Sequence, residues 1–397
     1  MRKTGFVSLF SGAGGLDIGL EDAGLSCLYA SDIDGAAYAT LVANQAARSG
    51  HLHDAVIEQA DVSRTTGDDI LARIGREKGQ VPLLVGGPPC QSWSSAGHQR
   101  GFDDPRGRLF DDFVRIAGEL DVRWLMFENV RGLLTARGPD GNPGSALALI
   151  RTKLLRAGFQ TQVALLNAAD YGVPQRRVRL IVFGYRVGDQ LRFPDQNHSK
   201  GGGSQPWIPM FQALGSVGVL SPDEVIRPNE RLLAQLSALH PGSGVKSPGK
   251  AETTRPGGHW GYKQGAFIAD TSIPARTVTA NPQQDWIADQ LLGIRRLCPR
   301  ECAALQTFPK DWAFVGKRSD QYRLIGNAVP PLLARQIGNA LREHISLSSG
   351  HERTSVNTLQ PLAPNLQAAI HYTAKEERRN GQSRRAPTYS SQVMLSA

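Results

Sequence analysis

The sequence predicts an α/β fold, a doubly wound and mostly parallel sheet, with a second, smaller, loop-rich lobe. Three observations carry that prediction. Short apolar runs alternate with longer amphipathic ones over the first 185 residues, as strands alternate with helices in a parallel sheet. The pattern then breaks near Val187, where Gly, Pro, Ser, Asn and Gln take over. The chain has 397 residues, enough for a large core and two lobes.

Taken in order, residues 5–10 read as a strand, followed by a glycine-rich turn and a helix from about Leu16. Residues 27–30 form a second short strand ending in Ser31-Asp32-Ile33-Asp34, with a helix to about Arg48. Asp61 is placed at the end of a third short strand. Residues 81–85, 122–127, 163–166 and 178–183 are further strands, with helices over 109–120 and 146–157 between them. Such sheets bind ligands at the carboxyl ends of their strands. From 187 to about 272 regular apolar periodicity is weak, and Gly201-Gly202-Gly203 and Pro241-Gly242 punctuate the chain. Trp207, Ile208, Met210, Phe211, Trp260, Tyr262, Phe267 and Ile268 supply core material there, which argues for a folded lobe over disorder. Helical periodicity returns over 300–308 and after Pro331. Beyond about Leu347 the chain is polar, with Lys375, Arg378, Arg379, Arg384 and Arg385, and reads as a flexible tail. No internal repeat is present.

The formal charge of +9, from 45 Lys+Arg against 36 Asp+Glu, favours a polyanionic partner without proving one. Four cysteines, Cys27, Cys90, Cys298 and Cys302, are too few for a disulfide framework at this size. Cys298 and Cys302 lack a second ligand pair at zinc spacing, which argues against a structural metal. The start Met-Arg-Lys-Thr-Gly has no signal-peptide apolar region, and no run approaches membrane-spanning length. The expectation is a soluble protein of a reducing compartment.

Two ends of the sheet carry chemistry. Phe10-Ser11-Gly12-Ala13-Gly14-Gly15 follows the first strand, where glycines let the backbone approach a ligand and a helix N-terminus offers free amides. Asp32 ends the second strand, about where a carboxylate binds ribose hydroxyls. A glycine-rich turn alone is weak evidence; with the acidic strand end it points to an adenosine-containing cofactor. The spacing Gly12-x-Gly14-Gly15 departs from the G-x-G-x-x-G of nicotinamide dinucleotide sites and counts against a dehydrogenase.

At the other end, Gly87-Pro88-Pro89-Cys90-Gln91-Ser92-Trp93-Ser94-Ser95 follows an apolar strand. Two prolines stop the strand and stiffen a turn that presents one cysteine, a candidate nucleophile once its thiol loses its proton. A small Cys filling a loop is the alternative, and the rest of the chain argues against it. Glu128, in Phe127-Glu128-Asn129-Val130, sits at a strand terminus where partial burial raises a carboxyl's pKa and lets it donate a proton; a capping or salt-bridged Glu is the alternative. In Gln175-Arg176-Arg177-Val178-Arg179, Arg177 and Arg179 are in phase and share a face, suited to clamping an anion or carbonyl.

These residues resemble the DNA (cytosine-5)-methyltransferases of the bacterial restriction-modification type. The matching blocks are Phe10 to Gly14, Asp32, Asp61, Gly87 to Gln91, Arg108-Leu109-Phe110, Glu128-Asn129-Val130, Gln175 to Arg179, Ala275 to Thr279 and Gly326 to Pro331. They follow the family's order over about residues 4–335, and Pro-Cys-Gln, Glu-Asn-Val and Gln-Arg-Arg-x-Arg in sequence are highly specific. The resemblance implies the S-adenosylmethionine-dependent methyltransferase fold. It also implies S-adenosylmethionine as methyl donor, with S-adenosylhomocysteine as product, and a flipped cytosine in double-stranded DNA as acceptor. Carried over by position, Phe10, Gly12, Gly14, Asp32, Ile33, Asp61, Val62, Pro89 and Asn327 bind the cofactor. Asp32 replaces the family's usual Glu and is one methylene shorter. Cys90, Glu128, Arg177 and Arg179 act on the cytosine. Gln91, Ser92 and Ser94 lie in a loop that closes on the DNA, and Arg255, His259, Lys263 and Gln264 are candidate DNA readers.

The implied organisation is a cofactor-binding first part at 1–187, a target-recognition region at 188–310, a return segment at 311–346 completing the first lobe, and a tail at 347–397. The expected setting is the bacterial cytoplasm, as a monomer working alongside a restriction endonuclease without a stable complex, and with no membrane partner or metal; an orphan or phage enzyme fits the sequence equally well. A tRNA cytosine-5 methyltransferase shares the catalytic blocks, but that branch carries Cys-Phe-Thr in its second lobe, which this chain lacks. A catalytically inactive DNA-binding relative fits less well with an intact Cys90, Glu128 and Arg179.

Overall fold

The computed structural model describes residues 3–47, 50–89, 105–186, 190–201, 205–246, 250–253, 264–348 and 358–379. The first lobe is built on β1 (Gly5–Leu9), α1 (Gly15–Asp22), β2 (Ser26–Asp32), α2 (Gly35–Ala46), β3 (Val56–Gln59), α3 (Gly67–Ile74), β4 (Leu83–Gly86), α4 (Pro105–Glu119), β5 (Trp124–Val130), α5 (Ser145–Arg156), β6 (Gln160–Asn167) and β7 (Val178–Tyr185). The seven strands pair in the order β3-β2-β1-β4-β5-β7-β6. Only β7 runs against its neighbours, antiparallel to both β5 and β6. This is the expected mostly parallel sheet. The chain steps outward from β1 to β3, then returns to start β4 on β1's other side, and that reversal opens a crevice between the loops after β1 and β4. The central strands are apolar throughout, as both faces are covered: β4 is buried along its whole length and β5 up to Asn129.

Two short strands, β8 (His198–Ser199) and β9 (Gln205–Pro206), form a separate pair. Where weak periodicity predicts loops, the second lobe holds α6 (Met210–Val217), α7 (Glu230–Ser237), β10 (Ser243–Lys246), β11 (Lys250–Thr253), β12 (Gln264–Ile268), β13 (Trp286–Asp289) and β14 (Gly293–Arg296). Its sheet runs β11-β10-β12-β13-β14. Strands of four or five residues are too short to show an alternation above the surrounding glycines, which is why they escape a sequence reading. The lobe's own core is small: Leu236, Ile268 and Trp286, with Leu232, Leu239, Ala266 and Ile294 against them. Met210 and Phe267 instead join the large core of the first lobe, and Phe211 is exposed.

After α8 (Pro299–Leu305), α9 (Arg318–Asn327) and α10 (Pro331–Ser348) pack back onto the first lobe. Trp312 Nε1 donates to the Ala13 carbonyl at 3.1 Å, and Asn44 of α2 exchanges hydrogen bonds with Ala313 at 2.8 and 2.9 Å. α10 lies flat on α1 because Gly19 has no side chain: a Cβ there would stand 2.3 Å from the Pro331 carbonyl and 2.4 Å from Ala334 Cβ. The tail expected to be flexible carries a helix, α11 (Pro364–Arg379), with Leu366 buried against the first lobe. Leu362, Leu366, Ala369 and Ile370 make a narrow apolar stripe that a polar average hides. Among the described residues no helix is long and apolar enough to cross a membrane.

Beneath the glycine-rich turn, Asp17 of α1 is fully buried. Neither carboxylate oxygen makes a well-formed hydrogen bond among the described residues. Burial pushes its pKa from 3.8 up to about 7; the Ser8 and Ser11 hydroxyls temper the rise, and Glu21 and Asp32 add to it.

Gly19→Ala should destabilise by about 1–3 kcal/mol, because the added methyl meets backbone. Gly118→Ala on α4, with nothing within 4 Å of the added methyl, should instead stabilise by about 0.5–1 kcal/mol. Urea unfolding of the two variants checks the opposed signs. For Asp17, the folded protein keeps a proton that the unfolded chain has already released between pH 3.8 and about 7, so stability falls as pH rises across that window. Asp17→Asn should remove that dependence. The stability of the variant relative to wild type should therefore climb by up to about 1.4 kcal/mol per pH unit, then level off near neutrality. A difference that stays constant from pH 5 to 8 would contradict the assignment.

Candidate active site

The crevice at the carboxyl ends of β1, β2, β4 and β5 holds a cavity of about 370 Å³. One end is made by the turn after β1. Phe10 has a left-handed backbone (φ 58), an unusual conformation for a bulky residue. Gly12 (φ 56) follows, and a Cβ there would meet nothing within 4 Å, so it faces open space. Gly12 N donates to Asp32 Oδ2 at 2.8 Å and Asp34 N to Asp32 Oδ1 at 2.9 Å, which locks turn and strand end together. Burial raises the Asp32 pKa, and the two amides oppose the rise. Asp34 in turn caps α2 through Ala36 N and Ala37 N, and pairs with Arg323 of α9 at 2.7 Å.

Ile33, Asp61 and Val62 complete this end. Ile33 is 63% exposed, a large apolar side chain at the cavity mouth that a bound planar group would cover. Asp61 accepts from the Ser63 hydroxyl at 2.7 Å and its amide at 3.0 Å; these bonds, the hydroxyl first, hold its carboxyl below the usual range. Arg115 of α4 fastens the loop after β3 by donating to the Val62 and Thr65 carbonyls at 3.0 and 3.1 Å. Asn327, at the end of α9, closes the opposite side.

The other end of the cavity is lined by Gly87, Pro88, Pro89, Glu128, Asn129 and Arg179. Gly86 must be glycine, since a Cβ would stand 2.5 Å from the Leu9 carbonyl of the neighbouring strand. Asn129 Nδ2 donates to the Pro88 carbonyl at 3.2 Å, tying the end of β5 to the Pro-Pro turn. Glu128 Oε1 lies 2.7 Å from Arg179 Nε, and both residues are under a tenth exposed. Burial raises the Glu128 pKa, with Arg179 and then Arg177 pulling it back. Burial and the two arginines thus act in opposite directions on its charge.

Two of the expected contacts do not reach the cavity. Arg177 is fully buried, and its guanidinium donates to the Val278 carbonyl at 3.0 Å and the Gly326 carbonyl at 2.7 Å. It joins β7 to the second lobe and to α9. Alternation sets the face Arg177 takes, and the carbonyls of Val278 and Gly326 across from it set its depth. Gly14 caps α1 and turns toward Leu41 and Trp312; its left-handed φ of 79 explains the glycine. Gln175 is likewise structural: it donates to Gln306 Oε1 at 2.9 Å and accepts from Val278 N at 2.8 Å. Cys90, Gln91, Ser92, Ser94, Arg255, His259 and Lys263 lie outside the described residues, and Gln264 is placed only as the first residue of β12.

Sequence reasoning missed Asp34, Arg115, Arg323 and Asp17. Asp34 carried a readable signal, an Asp directly before a small-residue helix. Arg115 had acidic neighbours at helical spacing, Asp112 and Glu119, now 3.0 Å away each. Arg323 and Asp17 had none, because a long-range ion pair and an unpartnered buried acid leave no local pattern.

The family description "C-5 cytosine-specific DNA methylase" matches residues 4–343. The chain is 34% identical over 344 residues to the type II methyltransferase M1.HphI of Haemophilus parahaemolyticus, covering 85% of this chain and 86% of that one. It is 30% identical over 361 residues to M.FnuDI of Fusobacterium nucleatum, covering 86% and 94%. The Dnmt2 methyltransferase of S. pombe superposes with a TM-score of 0.60 at 15% identity, over 87% of this chain and 99% of that one, and shares the fold. The Entamoeba histolytica methyltransferase EhMeth does so with a TM-score of 0.59 at 13% identity, over 86% and 99%. With its crevice walled by Asp32 at one end and the Glu128–Arg179 pair at the other, and with a match that spans both lobes, the chain belongs to the C-5 cytosine-specific DNA methylase family.

Proposed function

We propose that this DNA cytosine-5 methyltransferase moves a methyl group from S-adenosylmethionine to carbon 5 of a cytosine swung out of duplex DNA, through a transient bond from Cys90 to carbon 6. The observation that carries this reading is the buried Glu128–Arg179 pair, 2.7 Å apart, on the wall of the cavity that the Pro88-Pro89 turn also lines. Cytosine carbon 5 is a poor nucleophile while the ring is aromatic. Addition of the Cys90 thiolate to carbon 6 breaks the aromaticity and gives carbon 5 enamine character. Glu128, with its proton affinity raised by burial, is suited to protonate ring nitrogen 3 and draw off the developing charge. Arg179 holds the Glu128 carboxyl in place on the cavity wall and is assigned to orient the cytosine through its O2. Once carbon 5 carries the methyl, loss of its proton to a base, expulsion of Cys90 as the thiolate and return of the nitrogen 3 proton to Glu128 restore the ring and the enzyme. The three described cysteines are poor rivals as nucleophiles: Cys27, Cys298 and Cys302 are buried, and burial pushes each thiol up, Cys298 to about 12.

The cavity's first end fits the methyl donor. Gly12 leaves a cradle open, Asp32 offers a carboxylate for ribose hydroxyls, Phe10 and Ile33 offer apolar contact, and Asp61 is an acceptor at the adenine position. The donor, when bound, supplies the electrophilic methyl. The target base reaches the crevice only by leaving the helix stack, which costs a few kcal/mol. Gln91, Ser92 and Ser94 follow the Cys90 turn and are assigned to the DNA-facing loop. The region 188–310 is assigned to target recognition, with Arg255, His259, Lys263 and Gln264 as its candidate readers. The relatives are named as type II methyltransferases, which supports a role in protecting host DNA from a restriction endonuclease; that the enzyme acts as a monomer without a stable complex with that endonuclease is part of the proposal.

Cys90→Ala should abolish methyl transfer while leaving DNA binding within about twofold, as scored by tritium incorporation and gel shift. Normal turnover in that variant would remove the covalent step. A duplex carrying 5-fluorocytosine at the target should trap a covalent adduct with the wild-type enzyme, because fluorine at carbon 5 cannot leave as a proton does. Denaturing electrophoresis reads the adduct, and its absence with an enzyme active on cytosine would argue against carbon 6 addition.

A further inference from the structure

The last described helix, α11, lies beyond residues 4–343 that match the family, and its docking site is the segment that follows Glu128. β5 ends at Val130, which caps a 3-10 turn, Arg131–Thr135. α5 and β7 pack on that turn, and α11 packs on it as well. Leu133 and Leu134 are buried in one cluster with Phe127, Leu366 and Ala146, and Leu362, Ala369 and Ile370 rest on it. Ile370 fills the space above Gly144, where a Cβ would stand 3.0 Å from its Cδ1 and Cγ2. The segment 358–363 that leads into α11 also satisfies polar groups that the first lobe buries. Gln160 Nε2 donates to the Thr358 carbonyl at 2.8 Å, and the Arg151 guanidinium donates to the Gln360 carbonyl and, at 3.0 Å, to Thr161 Oγ1. Both Arg151 and Gln160 are under a tenth exposed, so this part of the chain is built into the lobe.

We propose that α11 is a positioning element for the reacting groups: by clamping the Arg131–Thr135 turn it fixes the Glu128-Asn129-Val130 strand end and, through the Asn129 bond to the Pro88 carbonyl, the turn that leads into Cys90. Leu366 is the positioning residue on which the clamp rests. The connection is short and covalent. Val130 belongs to both the strand and the turn, and Asn129 accepts from Val130 N at 2.8 Å while donating to Pro88 at 3.2 Å. A turn free to shift would carry Asn129 with it and misplace both Glu128 and the Pro-Pro turn. Displacements on the order of 1 Å at reacting groups cost large factors in rate. The walls of the cofactor end are β1, β2, the loop after β3 and α9, which are different elements.

The inference rests on the methyl-transfer reading, which the wild-type enzyme tests by itself; the variants test the clamp against that wild type. Leu366→Asp in the full chain should lower kcat, and the single-turnover rate of adduct formation on 5-fluorocytosine duplex, by about tenfold or more. The dissociation constant for S-adenosylmethionine should stay within about twofold, and Leu366→Met should recover kcat to within about twofold of wild type. Ile370→Ala, a milder truncation that leaves the chain folded, should show the same split with a fall of about threefold or more. The proposal is overturned if kcat in the folded variants stays within about twofold of wild type, or if cofactor affinity falls in step with kcat, which would mean general loosening of the lobe. Should Leu366→Asp fail to fold, Ile370→Ala decides by the same two criteria.

Discussion

One buried guanidinium holds three distant parts of the chain in register. Arg177 donates to the Val278 carbonyl and to the Gly326 carbonyl, and it enters β7 two residues before Arg179. Around it Gln175 accepts from Val278 N, and Arg176 N donates to the Ala275 carbonyl at 2.8 Å. Residues 175–177 and 275–278 are thus laced together, and Gly326 is drawn so close that a Cβ on it would stand 2.2 Å from Thr279 backbone. Asn327, the next residue, lines the cavity. A fully buried cation is expensive to leave unpaired, so the two carbonyls have no cheap alternative position. The positions of Arg179 at one end of the cavity and Asn327 at the other therefore follow from the same side chain.

The cavity is electrostatically divided. At the cofactor end, Asp32 is held by two amides, Asp34 by Arg323, and Asp61 by Ser63, so three carboxylates share one rim without collapsing together. At the base end a single carboxyl, Glu128, faces one arginine, and burial works against its charge. In the first arrangement fixed donors lower Asp34 and Asp61 and oppose the rise that burial gives Asp32. The second suits a group that exchanges a proton. The difference arises from the number of fixed donors around each carboxylate and from depth, since all four acids sit at strand ends or just beyond them.

Much of this was legible in the sequence because it is local. Apolar runs and turn residues gave the strands from β1 to β7, and Asp32, Glu128 and Arg179 were found from their places at strand ends. What escaped was non-local or low in contrast. Arg177 was read as a ligand clamp because alternation tells which face a side chain takes and says nothing about what lies across from it; 101 residues further on, Val278 lies across from it. α9 is polar on average and is defined by where it docks. α11 was read as a flexible tail because four apolar positions on one face are diluted by Asn, Gln, His, Lys, Glu and Arg. α3 had a signal that went unread, Thr66 and Asp69 in a reciprocal cap. The sheet of the second lobe is made of strands so short that only their partners reveal them.

The order of elements along the chain adds a constraint on folding. β1 and β4 flank the switch point, and the loops after them begin the two ends of the cavity, one of which Arg179 of β7 completes. The wall that faces them, Arg323 to Val329, comes nearly two hundred residues after β5, and the helix that braces it, α10, packs on α1 from the far end of the matched region. Closing so long a loop costs only slightly more entropy than closing one half its length. Contacts of such sequence separation nonetheless form late, because their closure must precede any reward. Without that wall and α10 the crevice is open on one side and the Gly19 face of α1 is uncovered. Any ligand that bridges Asp32 and Asn327 then stabilises the closed arrangement by mass action, coupling cofactor binding to the docking of the return segment.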